Sequence, residues 1–432
     1  MAVRHFHKTI RQCHIRHTET AFSPGGLSPA MDRIADLVAQ HEQWRARCLN
    51  LVPSENATSP AVRAALASDL GNRYTFHVGQ ELHGVTIENA YRGTRWTDAV
   101  EERVEALLRE VYGAAAATAR PISGHVAALT ALAALVPRGG RVLALRPDDG
   151  GYDGYHLPHM PELLGYVADP MPWDAARFRV DADATAAAVR KTRPDAVVIA
   201  QSFVLFPVDL APVEEACRDA GAKLLYDGSH TLGLIAGGEF QPDAVARTDL
   251  LYGSTHKTLP GPQGGLMVSR DGALMARVRA NFTLRTQDNA HWHRIAALGV
   301  AMEELKAHGP AYARQVVANA RALGRALDDG GMPVRFRELG YTASHQLSLD
   351  LEGIRRKFGL DSNELAKRLE SRDIIVDAMG RLGAQELTRL GAKEADMVAV
   401  ADLLVRASRG RKVQDEVHAL RARLSMAFCD VA

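Results

Sequence analysis

Apolar residues along this chain fall into short runs separated by segments of helical period, the texture of strands alternating with helices. From Ser28 the spacing predicts a helix: Ser28 suits an N-cap, Pro29 the first helical position, and Met31, Ile34, Leu37 and Val38 recur at helical spacing. The loop Leu51-Val52-Pro53-Ser54-Glu55-Asn56-Ala57-Thr58-Ser59-Pro60 follows, then a helix over 98–111. Strand-like runs stand at Ala115–Ala119, Arg141–Leu145, Ala196–Ala200, Lys223–Tyr226, Leu250–Gly253 and Gly265–Ser269, with helical windows between several of them, such as Val126–Leu135 and Leu210–Asp219. Such runs predict an α/β fold with a mostly parallel, covered sheet. Long amphipathic helices are expected over 290–328. After Gly330-Gly331 the texture changes to short strands within Ser344–Leu351 and Ile374–Val376 and helices over 361–370 and 393–409, a smaller α+β unit. The expected organisation is a leader and arm helix over 1–60, a large domain over 61–328 and a small C-terminal domain over 329–432.

Composition narrows the function classes. The 52 Lys+Arg nearly balance 51 Asp+Glu, which argues against a nucleic-acid-binding surface. No apolar stretch reaches the 18 or so residues of a membrane span. Cys13, Cys48, Cys217 and Cys429 lie far apart with no CxxC pair, which excludes a disulfide scaffold and points to a reducing cytoplasm. His5, His7, His14 and His17 surround Cys13 in a basic leader, but without ligand spacing they read as a leader rather than a metal site. No apolar h-region precedes a small-residue cleavage site there, so a secretory signal is not expected.

Chemistry concentrates in a few turns. Ser254-Thr255-His256-Lys257-Thr258-Leu259-Pro260-Gly261-Pro262-Gln263-Gly264-Gly265 lies between two apolar strands. A lysine held in such a turn and desolvated has a lowered pKa and can form a Schiff base. Asp227 closes the strand Leu224-Leu225-Tyr226, where parallel sheets place ligand-contacting groups. Alone it would read as a helix cap; with Lys257 it reads as the carboxylate that keeps a pyridine nitrogen protonated. Pro121-Ile122-Ser123-Gly124-His125 opens a helix whose backbone N–H groups suit a phosphate. Tyr152 offers a stacking face, and Arg381, in Met379-Gly380-Arg381-Leu382-Gly383, a guanidinium fork for a carboxylate.

Over about residues 30–410 the sequence resembles the serine hydroxymethyltransferase group of fold-type-I pyridoxal-phosphate enzymes. The motifs are Ser54-Glu55-Asn56 with Thr58-Ser59-Pro60, Asn72-Arg73-Tyr74, Ser123-Gly124, Asp227 with His230, Thr255-His256-Lys257-Thr258-Leu259 with Gly261-Pro262, and Gly380-Arg381. The resemblance implies an aspartate-aminotransferase-like fold: a large domain with a mostly parallel seven-stranded sheet and a small α+β domain. It implies pyridoxal 5'-phosphate on Lys257, with Asp227 at its ring nitrogen, His230 near its hydroxyl, and Ser123 and Gly124 on its phosphate. His125, Tyr152 and Ser254 complete the expected cofactor set. Ser54, Tyr91 and Arg381 are expected on the substrate. Tyr74 would reach a neighbouring subunit's site, so a homodimer or tetramer with shared sites is implied.

Departures from that group are as informative. Only Asp377, Ala378, Met379 and Gly380 separate Val376 from Arg381, where folate-dependent members carry a long loop. Phe76 stands where an ungapped match places their glutamate, Tyr152 replaces the stacking histidine, and the glycine pair that touches the phosphate from the partner is missing from Arg285-Thr286-Gln287-Asp288-Asn289. The expected activity is Cα–Cβ cleavage and formation on β-hydroxy-α-amino acids, as in the folate-independent L-threonine transaldolases of secondary metabolism. The alternatives are a hydroxymethyltransferase acting on serine or α-methylserine, and a threonine aldolase. Glu88 and His256 are the candidates for the base at the β-hydroxyl.

Overall fold

The computed structural model describes residues 33–75, 77–82 and 84–431. Seven strands form its main sheet: β1 (Ala116–Thr118), β2 (Arg141–Ala144), β3 (Val167–Pro170), β4 (Ala196–Ala200), β5 (Lys223–Asp227), β6 (Leu250–Ser254) and β7 (Gly265–Ser269). Their order across the sheet is β1-β7-β6-β5-β4-β2-β3, and only β7 runs against its neighbours. The central strands β4, β6 and β7 are buried at every position, as expected of a sheet covered on both faces. The edge strand β3 has no counterpart among the apolar runs. Its sequence Val-Ala-Asp-Pro is only half-buried, so it carries no hydrophobic signature.

One continuous helix, not several, covers the stretch 292–329. Here α1 denotes Gly124–Leu135 and α2 the 38-residue Trp292–Asp329. At 1.5 Å per residue α2 is about 57 Å long. It packs Trp292, Ile295, Leu298 and Tyr312 into the large core, and its end places Leu323 and Leu327 in a second core. Pro310 inside it removes one backbone bond. Buried side chains on both sides, Leu305 before it and Tyr312 and Ala313 after it, hold the axis.

The second core belongs to residues around 332–420, built on β8 (Gln346–Ser348) antiparallel to β9 (Arg381–Gly383). Leu49 and Leu51 join it, because the two-residue strand Leu49–Asn50 pairs with Ile374–Ile375. Of the helix predicted from Ser28, residues 28–32 lie outside the described residues. The described part, Ile34–Arg45, buries none of its side chains.

A fully buried ion pair ties α2 to the small domain: the Arg389 guanidinium donates to Glu304, and its Nη1 to the carbonyl of Phe428 at 2.5 Å. Removing one partner leaves the other charged and dry. Arg389→Ala should therefore cost about 3–5 kcal/mol, whereas the double change Glu304→Leu with Arg389→Met should cost markedly less. Urea denaturation midpoints would check this; equal losses would show that the pair acts by shape alone.

Candidate active site

Lys257 sits in the turn between β6 and β7, and the surrounding backbone is tightly tied. Thr255 Oγ1 donates to the Pro262 carbonyl at 2.6 Å, Gly261 N–H to the Thr255 carbonyl at 3.0 Å, and Thr258 Oγ1 to the His230 carbonyl at 2.8 Å. From the loop 51–60, Asn56 Nδ2 donates to the Lys257 carbonyl at 2.5 Å and to Tyr312 at 3.0 Å. Burial, with Arg381 adding to it and Asp227 opposing it, brings the lysine pKa down to about 8. A neutral amine is thus within reach near physiological pH.

Asp227, at the carboxyl end of β5, is held from both sides. Its Oδ1 accepts from Ser229 N–H at 3.0 Å and from Ser229 Oγ at 2.5 Å, and its Oδ2 from Tyr155 at 2.8 Å. Tyr252 lies 2.7 Å behind Tyr155, oxygen to oxygen. These bonds fix the carboxylate and still leave lone-pair capacity for one more donor, such as a protonated ring nitrogen.

Ser123 caps α1 through Val126 N–H at 3.0 Å, and the N–H groups of Gly124 and His125, at the helix start, have no intrahelical acceptor. Gly124 is a requirement of the cradle: a Cβ there would lie 2.2 Å from Ser254 Oγ and 3.1 Å from Ser229 Oγ. Two free N–H groups with the Ser254 and Ser229 hydroxyls alongside fit a phosphate ester. Tyr152, hydrogen-bonded to His125 Nδ1 at 3.0 Å, stands edge-on to Tyr155 with ring centroids 5.8 Å apart. A phosphate cradle, an aromatic ring, a braced carboxylate and a half-buried, desolvated lysine together fit the groups of pyridoxal phosphate.

Two buried imidazoles, His230 and His345, and the half-buried His256 lie near the lysine, and all are pushed toward neutrality, first by burial and then by the neighbouring cations. His230 falls well below the usual histidine range, His256 to about 4 and His345 to about 3. His256 Nδ1 is buried without a hydrogen-bond partner. His345 stacks on His230 with centroids 5.6 Å apart and meets the Pro53 carbonyl at 3.2 Å. Arg381, on β9, donates from Nε to Asp377 at 2.7 Å and from Nη1 to the Ser202 carbonyl at 2.8 Å, and lies over the Phe203 ring.

Ser54 is half-buried in a loop that Gln385 Nε2 pins through the carbonyls of Val52 and Glu55. Tyr74 and Tyr91 lie apart from this cluster. Both are exposed, their rings 5.1 Å apart, with the Tyr74 hydroxyl donating to Asp288, which raises its pKa to about 12. Glu88 belongs to the strand Val85–Asn89, but its side chain, like Phe76 entirely, lies outside the described residues. Sequence reasoning passed over Tyr155, Ser229, Ser202, His345 and Gln346. Only Ser229, two residues from Asp227, carried a local signal.

The family model for serine hydroxymethyltransferase matches residues 27–404. The chain is 35% identical over 402 residues to a serine hydroxymethyltransferase of Methanosphaera stadtmanae, covering 89% of this chain and 92% of that one. It is 36% identical over 395 residues to one of Methanopyrus kandleri, covering 88% and 89%. Among solved structures, an L-threonine transaldolase from Pseudomonas fluorescens in its internal aldimine state superposes with a TM-score of 0.81 at 26% identity, over 91% of each chain.

The cofactor is pyridoxal phosphate, and two outcomes follow from its lysine and its carboxylate. The rate at which cofactor-free protein captures pyridoxal phosphate should rise with pH through about 8 and level off above it, since the neutral amine is the nucleophile. Lys257→Ala should lose the covalent, yellow species, and a borohydride label mapped to another lysine would displace this assignment. Asp227→Asn should keep cofactor but slow turnover by two or more orders of magnitude, roughly 3 kcal/mol or more. Near-wild-type kcat in that variant would reduce Asp227 to a helix cap.

Proposed function

This chain belongs to the serine hydroxymethyltransferase family, and from that premise we propose that it is an L-threonine transaldolase. The reaction cleaves threonine to acetaldehyde and joins the remaining glycyl unit to a second aldehyde, giving a new β-hydroxy-α-amino acid. The turn before Arg381 carries this reading. Asp377 closes it on itself, accepting from Met379 N–H at 3.0 Å and Arg381 N–H at 3.1 Å through Oδ1, and from Arg381 Nε through Oδ2. Gly380, at φ 79°, makes the tight reversal possible. Where folate-dependent relatives extend a polar loop, this chain spends four residues, and Phe76 replaces the glutamate.

Pyridoxal phosphate, when bound, supplies the sink for the electron pair left on Cα as the Cα–Cβ bond breaks. The chain's own residues orient and exchange protons around it. Arg381, anchored through Nε and Nη1, turns its remaining N–H groups to the amino-acid carboxylate, which Ser54 also binds. Fixing that carboxylate selects which bond at Cα stands out of the ring plane. His256, kept neutral and with Nδ1 unpartnered, takes the β-hydroxyl proton; Glu88 is the alternative base. Tyr74, exposed on one protomer, reaches the site of the neighbouring one in a homodimer, and Tyr91 contacts the substrate. The free thiols of Cys48, Cys217 and Cys429 support a reducing, cytoplasmic setting.

A second reading is a hydroxymethyltransferase acting on serine, favoured by the higher identity to relatives of that name than to the transaldolase. Tetrahydrofolate separates the two. Pterin donors and acceptors left unpaired cost about 1–3 kcal/mol each, so the glycine-loaded enzyme should show no saturable change in visible absorbance at micromolar tetrahydrofolate. Threonine should yield acetaldehyde without it, faster when an aldehyde acceptor is added. A saturable absorbance rise, with serine turning over faster than threonine, would replace this reading by the hydroxymethyltransferase.

A further inference from the structure

Gln346 stands on β8, in the small domain, yet its side chain is wholly buried against the large domain. Its three partners determine which end of the amide is which. Val204 N–H, a donor only, lies 3.3 Å from Oε1, so that atom is the oxygen. The amide nitrogen therefore faces the Ser202 carbonyl at 3.1 Å and His230 Nδ1 at 3.0 Å, and donates to both. A flipped amide would set its oxygen against the Ser202 carbonyl and its N–H against the Val204 N–H.

An imidazole nitrogen that accepts a hydrogen bond carries no proton. In the neutral ring the proton is then on Nε2, which makes no hydrogen bond among the described residues. We propose that Gln346 is a positioning residue that locks His230 as the neutral Nε2–H tautomer, so that this histidine serves as a fixed hydrogen-bond donor to the phenolic oxygen of the cofactor ring. The groups around His230 agree: Lys257, Arg381, His345 and His256 all oppose a positive ring, and no carboxylate is among its largest influences. Packing reinforces the lock, since His345 stacks on the ring and Ser344 Oγ donates to the Val204 carbonyl at 2.6 Å while accepting from Gln346 N–H at 3.0 Å. Both the tautomer-setting amide and the stacking ring thus come from consecutive residues of one strand segment.

The same amide shares the Ser202 carbonyl with Arg381 Nη1. Gln346 therefore joins the element that tunes the cofactor to the element that holds the substrate carboxylate. This inference rests on family membership and not on the choice between threonine and serine, so the two can fail separately.

The test uses the holoenzyme carrying nitrogen-15 histidine, with long-range proton–nitrogen correlation to read the His230 ring and His230→Asn to assign it. The wild type should show a protonated Nε2 and a bare Nδ1 at neutral pH. Gln346→Glu, which offers only acceptors, should protonate Nδ1. In Gln346→Leu the pH at which the bound cofactor's visible band titrates should move up by about half a unit, roughly a three-fold change in that equilibrium, because its phenolic oxygen loses a fixed donor. A wild-type ring protonated on Nδ1 would overturn the proposal, and that measurement needs no variant to fold. So would a ring unchanged in Gln346→Glu, or a titration unmoved in well-folded Gln346→Leu.

Discussion

The constraint on which this site depends is the crowding of cationic groups where water is scarce. Burial depresses the Lys257 pKa, and the nearby Arg381 guanidinium adds to it. Asp227 is the charge that offsets them at the lysine, and Asp377 holds the arginine directly at 2.7 Å. Burial, reinforced by these cations, also drives the three nearby imidazoles to their neutral forms. Histidines in such surroundings act as oriented donors and acceptors, not as charges. Within this cluster Lys257 is left poised to titrate near physiological pH, as its expected covalent role requires.

The fold meets this constraint by collecting loop ends at one edge of a parallel sheet. Strands β4, β5 and β6 deliver Ser202, Asp227 and Ser254 at their carboxyl ends, and α1 brings its N-terminus beside them. The other wall comes from the small domain, through β8 and β9. The loop 51–56 precedes the large domain in sequence, yet it is fastened to the small one. Leu51 accepts from Gly383 N–H at 2.7 Å, Pro53 faces His345, and Gln385 binds the carbonyls on either side of Ser54. Ser54 and Arg381, both expected on the substrate carboxylate, therefore move as one unit.

How much of this was legible depended on whether a residue's chemistry was local. Lys257 announced itself through its own turn, and Asp227 and Ser123-Gly124 through their positions at a strand end and a helix start. The sheet could be read because its central strands are buried throughout; β3, half-exposed and ending in proline, could not. Tyr155 and Gln346 were invisible for a different reason. Each looks ordinary in sequence and gains its role from a partner 72 or 116 residues away. Contacts of that range are products of the fold, and no pattern of spacing announces them.

The short turn before Arg381 raises a mechanical question: how an arginine expected on the substrate carboxylate stays in place on a four-residue connection. Three anchors answer it. Asp377 fixes Nε from within the turn, the Ser202 carbonyl fixes Nη1 from the large domain, and the Phe203 ring lies beneath the guanidinium at 5.1 Å. The second and third anchors are consecutive residues on a segment that Gly150 and Gln346 also grip. The arginine is thus oriented by the large domain and by its own aspartate, so a loop is not needed to hold it. On the transaldolase reading proposed above, a connection this short offers little surface to a second, folate-like substrate. That reading asks for an anchored Arg381, a desolvated Lys257 and a braced Asp227–Tyr155 pair, and these three hold together here without a longer loop.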